Sequence, residues 1–146
     1  MLEEELKDLI EKTQRLQAEQ QTVEVKSSHE GCPERLYDTL SSFSNQDEGG
    51  VILFGLDEKQ SFEAVGVYDV QDLQKRVVDQ CEQMEPTVRP LFTVGEVDGA
   101  KVVSAEIPSI DIAERPCFYR GKGRMKGAYR RVGERDQPMT EYEVYS

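Results

Sequence analysis

The chain has 146 residues, 37% of them hydrophobic, and a net charge of −11. That length fits one compact domain, and no run of about 18 apolar residues offers a membrane span. Three cysteines without a C-x-x-C pair and a single histidine argue against a disulfide framework, a zinc site and a multi-histidine metal cluster, and favour a cytoplasmic protein.

The N-terminus, "MLEEELKDLIEK", is acidic and amphipathic and lacks the basic start of a secretory signal. Residues 3–20 predict a helix with Leu6, Leu9, Ile10 and Leu16 on one face. "TVEVK", 22–26, alternates and is β-branched, so it predicts a strand. After the loop "SSHEGC", Pro33 suits a first helical turn, followed by Leu36, Tyr37, Leu40 and Phe43 at helical spacing. "GVILFGL" predicts a buried strand, "DEKQS" a turn, and "FEAVGV" a returning strand. Asp69 caps a helix over 70–84 with Leu73, Val77, Val78 and Cys81 inward, and Pro86 and Pro90 lie beyond it. "LFTVGEV" and "KVVSAEI" flank Asp98-Gly99 as a hairpin. "CFYR" and "AYRRV" flank the tip "GKGRMKG" as a second hairpin, on which Tyr119 and Tyr129 face each other as a packing pair or, less favoured, as base-stacking rings. Thr140 to Glu143 spells a capping box. The pattern is α+β, a mixed and largely antiparallel sheet flanked by helices, forming a single domain over 1–146. The helix started so close to residue 146 suggests the N-terminal part of a longer protein.

Charge is unevenly spread. Between Arg115 and Arg135 lie eight basic residues, opposed by Glu134 alone, so the segment carries +7 against −18 elsewhere. Such a footprint fits a polyanion binder, or a solvated hairpin whose charges prevent edge-to-edge aggregation. On charge alone the two stand level. Arg130 and Arg131 are adjacent on a strand and face opposite ways, so one of them meets a ligand while the other pairs with an acid inside the fold.

"NQDEGGVILFG" places two glycines before a strand. A Walker loop requires G-x-x-x-x-G-K-[ST] opening a helix, and this segment has neither the lysine nor the helix. Gly49 and Gly50 instead admit the chain tightly into a buried strand, and Asn45 fixes the preceding helix end or loop by hydrogen bonds. Glu24 and Lys26 share one face of their strand, and if strand 51–56 lies beside it, Glu19, Glu24 and Asp57 or Glu58 converge. Three carboxylates would suit magnesium or manganese, though among 29 acidic residues a chance triple is common. His29 reads as a loop histidine and Cys81 as core.

In order, "EQQTVEVK", "LSSFSNQDEGGVILFGLDE", "VGV", "RPCFYRGKG" and "YRRVG" resemble the AlbA-like DNA-binding domain of the Schlafen and divergent AAA group, over about residues 16–146. Val25 replaces the family's usual phenylalanine, and the loop after Asn45 is longer than usual. The resemblance implies a nucleic-acid-binding domain of a bacterial transcriptional regulator, with Arg120, Lys122, Arg124, Lys126, Arg130 and Arg131 as candidate contacts. It also implies an alternative, a metal-dependent endoribonuclease with Glu19, Glu24 and Glu58 holding magnesium or manganese and Lys26 steadying the phosphate. A scaffold or homodimerisation domain is the third reading, suggested by the net negative charge. Whether the chain is an enzyme stays open at this point.

Overall fold

The structure is a computed structural model describing all 146 residues. In chain order it runs α1 (Glu3–Leu16), β1 (Val23–Lys26), α2 (Tyr37–Ser44), β2 (Gly50–Phe54), β3 (Leu56–Asp57) and β4 (Glu63–Ala64). It continues through α3 (Val70–Cys81), β5 (Met84–Glu85), β6 (Leu91–Val97), β7 (Ala100–Ile107) and β8 (Phe118–Tyr119). It closes with α4 (Gly123–Gly127), β9 (Tyr129–Val132), β10 (Arg135–Pro138) and α5 (Glu141–Tyr145). No helix is long and apolar enough to cross a membrane.

Four strands make the central sheet in the order β1-β2-β7-β6. β1 and β2 are parallel, with Glu24 opposite Ile52, and α2 lies in the crossover that a parallel pair requires. The other pairings are antiparallel, so the sheet is mixed as the sequence predicts. The period-2 pattern sorts alternate residues to opposite faces. Val23, Val25, Leu53 and Val102 pack against Leu6 and Ile10 of α1. Ile52, Phe54, Val103 and Ala105 pack with Leu36, Leu40 and Phe43 around α2 and with Leu73, Val77 and Cys81 of α3.

Several boundaries differ from the sequence expectation for physical reasons. α1 stops at Leu16 because Gln17 turns into the left-handed region, φ 53°, and its N–H closes on the Thr13 carbonyl. α2 begins at Tyr37 rather than near Pro33. The Gln80 side chain of α3 holds the intervening segment, accepting the Leu36 N–H at 2.7 Å and donating to the Pro33 carbonyl at 2.8 Å. α3 ends at Cys81 because Met84 and Glu85 leave it to pair with Tyr119 and Phe118.

The predicted basic hairpin does not form. "CFYR" pairs with β5, "GKGRMKG" contains the short helix α4, and "AYRRV" pairs with β10, with Tyr129 opposite Pro138. One bridge between Phe118 and Ala128 is all that joins the two segments as strands. Tyr119 therefore stacks on Tyr37, centroids 3.8 Å apart, and does not face Tyr129.

Candidate nucleic-acid interface

Two charged regions meet at the β1 edge of the sheet, one acidic and one basic. β1 is an edge strand, so the Val25 N–H points away from β2. Glu19, in the turn between α1 and β1, accepts it at 2.6 Å. Burial, a hydrogen bond with the Glu24 carboxyl, and the charges of Glu24 and Glu58 push the Glu19 carboxyl up to about 9, against the opposing pull of the Val25 N–H. The shift favours a proton on the Glu19–Glu24 pair at neutral pH. Glu24 shares the α2 face of the sheet with Ile52, is 8% exposed, and accepts from the Thr39 hydroxyl at 3.3 Å.

The predicted convergence of acids thus exists as a pair with a third charge nearby. Asp57 is occupied locally, accepting from the Lys59 N–H and the Gln60 amide, and Glu58 is exposed in the 3-10 turn Glu58–Gln60. No three His, Cys, Asp or Glu side chains are arranged to hold a metal ion. The metal set read from Glu19, Glu24 and Glu58 is not assembled in this arrangement. Glu19 is held by the Val25 N–H, and Glu24 is turned toward Thr39 and an arginine.

That arginine is Arg131. Its side chain is 0% exposed, 3.1 Å from Asp136 and 3.6 Å from Glu24, and it donates to the Gln20 and Val23 carbonyls at 3.0 Å each. The guanidinium also lies 4.9 Å from the Phe43 ring centre. Arg131 therefore does not reach a nucleic acid, which corrects its place among the candidate contacts. The alternation of β9, buried then exposed, turns Arg131 inward and Arg130 outward, and Arg130 pairs with Glu143 of α5. Asp136, which pairs with Arg131, and Thr39, whose hydroxyl bridges Asp136 and Glu24, carry no sequence signal that marks them.

Asn45 ties the basic region to the end of α2. Its amide donates to the Cys117 and Tyr129 carbonyls at 3.1 Å each, and its oxygen accepts the Cys117 N–H at 2.7 Å. One side chain thus satisfies backbone groups of the two segments that strand pairing leaves almost unjoined. The glycines next to it act sterically. A Cβ at Gly50 would lie 2.3 Å from the Phe43 ring, and one at Gly49 2.4 Å from the Ile107 carbonyl oxygen.

Beyond that clamp, the β8–α4–β9 tip projects its cations. Arg120, Lys122, Arg124 and Lys126 are exposed, and none has a carboxylate within 4.0 Å. Arg120 reaches the Glu82 carbonyl, and Arg124 lies 5.6 Å from the Tyr145 ring centre. Lys122 and Arg35 both donate to the Tyr129 hydroxyl at 3.3 Å. Arg35, distant in sequence from the basic segment, was not a candidate because nothing local distinguishes it. Arg115, counted with the basic segment, pairs instead with Asp47.

At the C-terminal ends of β1 and β2 a cleft of about 820 Å³ contains Lys26 and His29 but also Glu30, Glu34, Asp57 and Glu63. His29 bonds the Gly66 carbonyl there at 3.3 Å. Its acids disfavour a polyanion, whereas the tip presents unpaired cations.

A family model described as Schlafen, AlbA_2 matches residues 19–140. Among solved structures, the N-terminal domain of a protein described as related to the ATP-dependent DNA helicase RecG, from Nitrosomonas europaea, superimposes with a TM-score of 0.69. It is 25% identical, and the match covers 91% of this chain and 92% of that domain. The DIP2311 protein from Corynebacterium diphtheriae shares the fold at a TM-score of 0.59 and 17% identity, over 86% of this chain and 23% of that one. No curated protein matches the chain.

Proposed function

The chain belongs to the Schlafen, AlbA_2 family, and from that membership we propose that it is a nucleic-acid-binding module, a DNA-binding part of a bacterial regulator, which holds the strand on its α4 tip. The observation that carries this reading is the row of Arg120, Lys122, Arg124 and Lys126, exposed and without carboxylate partners in a chain of net charge −11. Four cations fall within residues 120–126 with no acid among them, so the row concentrates positive charge that remains available for phosphates. The relation of the Nitrosomonas europaea neighbour to a DNA helicase supports the same reading. The contacts are to the backbone, so binding is insensitive to sequence and weakens steeply with salt.

Fluorescence anisotropy with short duplex and single-stranded probes at low ionic strength tests it. Charge reversal at Lys122, Arg124 and Lys126 should abolish binding while leaving the circular dichroism spectrum unchanged. Binding by that variant equal to wild type would refute the assignment.

The metal-dependent endoribonuclease reading has one observation in its favour, the proximity of Glu24 that helps raise the Glu19 carboxyl, and one against it, the lack of an assembled donor set. Incubating structured RNA with manganese and either wild type or Glu24→Gln decides it: equal cleavage, or none, removes that reading.

A further inference from the structure

Two cations and one phenol meet at the base of the tip. The Tyr129 side chain is buried, 6% exposed, with its hydroxyl oxygen accepting from Arg35 and from Lys122, each at 3.3 Å. Lys122 also lies 5.9 Å from the centre of the Tyr129 ring. Two like charges are thereby held within twice the length of one hydrogen bond, against a neutral oxygen that cancels neither. The acid beside them is Asp38, which takes one N–H of Arg35 at 3.0 Å, and that arginine side chain remains 51% exposed. Lys122 has no carboxylate within 4.0 Å.

The donors at this spot outnumber the acceptors. The Tyr129 hydroxyl accepts twice, yet its own hydrogen finds no partner in the fold. An ammonium has three hydrogens and a guanidinium five, and both spend only part of them here. The Leu36 N–H, just before α2, does not add to the surplus, because Gln80 takes it. A phenol hydrogen without a partner, an ammonium and a guanidinium gathered around one hydroxyl complement an oxygen carrying negative charge with several lone pairs, which is what a phosphate presents. Arg124 and Lys126 continue the exposed cations along α4, which fits a chain of phosphates better than a single free ion.

We propose that Tyr129, Arg35 and Lys122 form a seat for one backbone phosphate of a nucleic-acid strand, and that this seat sets where the strand enters the tip. The inference rests on the nucleic-acid reading and sharpens it. Arg124 and Lys126 attract the strand through exposed charge alone, whereas the seat fixes one phosphate by hydrogen bonds from a buried ring and the two cations on its hydroxyl.

The test compares wild type with Tyr129→Phe, Lys122→Ala and Lys7→Ala, using short fluorescent single-stranded and duplex probes over about 50 to 200 mM salt. Tyr129→Phe should weaken binding about tenfold at every salt concentration, the worth of a hydrogen bond to a charged group. Its salt slope should match wild type, because a neutral phenol displaces no counterion. Lys122→Ala should lower the slope by about one. Lys7→Ala, on α1 across the sheet, should change nothing. If wild type binds with salt dependence and Tyr129→Phe binds equally well, the seat is refuted and the tip reading stands. If wild type shows no salt-sensitive binding, the underlying reading fails and the seat with it. Inorganic phosphate forms a separate arm: an effect of Tyr129→Phe on that ion but not on the strands would mark a free-anion site and overturn the proposal.

Discussion

Replacing Arg131 with methionine removes the charge that joins β1 to the β9–β10 hairpin while keeping much of the aliphatic stem. The guanidinium makes four polar contacts, to Asp136 at 3.1 Å, Glu24 at 3.6 Å and the Gln20 and Val23 carbonyls at 3.0 Å each. Methionine donates to none of them. Two carboxylates, 10% and 13% exposed, would remain together with only the Thr39 hydroxyl between them. Breaking a buried ion pair from one side costs about 3–5 kcal/mol. Arg131 Nε is itself buried without an acceptor, so the native network is incomplete and the lower end, about 3 kcal/mol, is expected. For a domain of this size that corresponds to a fall in melting temperature of roughly 6–12 °C. Urea denaturation at neutral pH should show a lower midpoint with an unchanged slope. Adding Glu24→Gln and Asp136→Asn to Arg131→Met should restore a large part of the loss, because the stranded charges are then gone. A loss below about 1 kcal/mol for Arg131→Met alone would show that Arg131 does not hold the hairpin to the sheet.

Other perturbations probe the neighbouring elements. Glu19, whose folded value is raised to about 9 from an ordinary 4.5, binds a proton more tightly folded than unfolded. Its contribution is complete below about pH 4.5 and is lost as pH rises toward 9, so Glu19→Gln should flatten the fall in stability over that window in urea titrations. A wild-type profile no steeper than that of the variant would contradict the raised Glu19 value. Gly50→Ala places a Cβ 2.3 Å from the Phe43 ring and should cost about 1–3 kcal/mol in thermal melts, with partial rescue by Phe43→Leu. Asn45→Ala strips partners from the Cys117 and Tyr129 backbones, so amide exchange at Cys117 should accelerate well before global unfolding. Cys81 and Cys117, whose thiols burial pushes up to about 12 and 11, should stay unreactive toward a thiol reagent at pH 8 in the folded protein.

How much was legible depended on how local the determinants were. β1 follows from an alternating run, β2 from a continuous apolar run, β6 and β7 from the Asp98-Gly99 turn between them, and α3 from its Asp69 cap and apolar spacing, because neighbours in sequence decide those elements. The parallel placement of β1 beside β2 needed only the crossover through α2. The tip was misread because Phe118 and Tyr119 pair with the distant Glu85 and Met84, which leaves β9 to pair forward with β10 across Gly133-Glu134 instead of back with β8. A three-glycine segment gave no helical signal, yet α4 forms there. For Arg130 and Arg131 the sequence established that one must turn inward, but not which, since parity depends on the partner strand. Arg35 was invisible because it comes to Lys122 and Tyr129 only through the fold.

The central claim is that an acidic domain binds nucleic acid through a small cationic tip, and the salt dependence of binding measures it most directly. Titrating wild type and the Lys122→Ala/Arg124→Ala/Lys126→Ala variant against one duplex probe gives two slopes of log affinity against log salt. The account predicts a clear negative slope for wild type and a slope shallower by about three for the variant. Equal slopes, or no measurable binding by wild type at low salt, would contradict it.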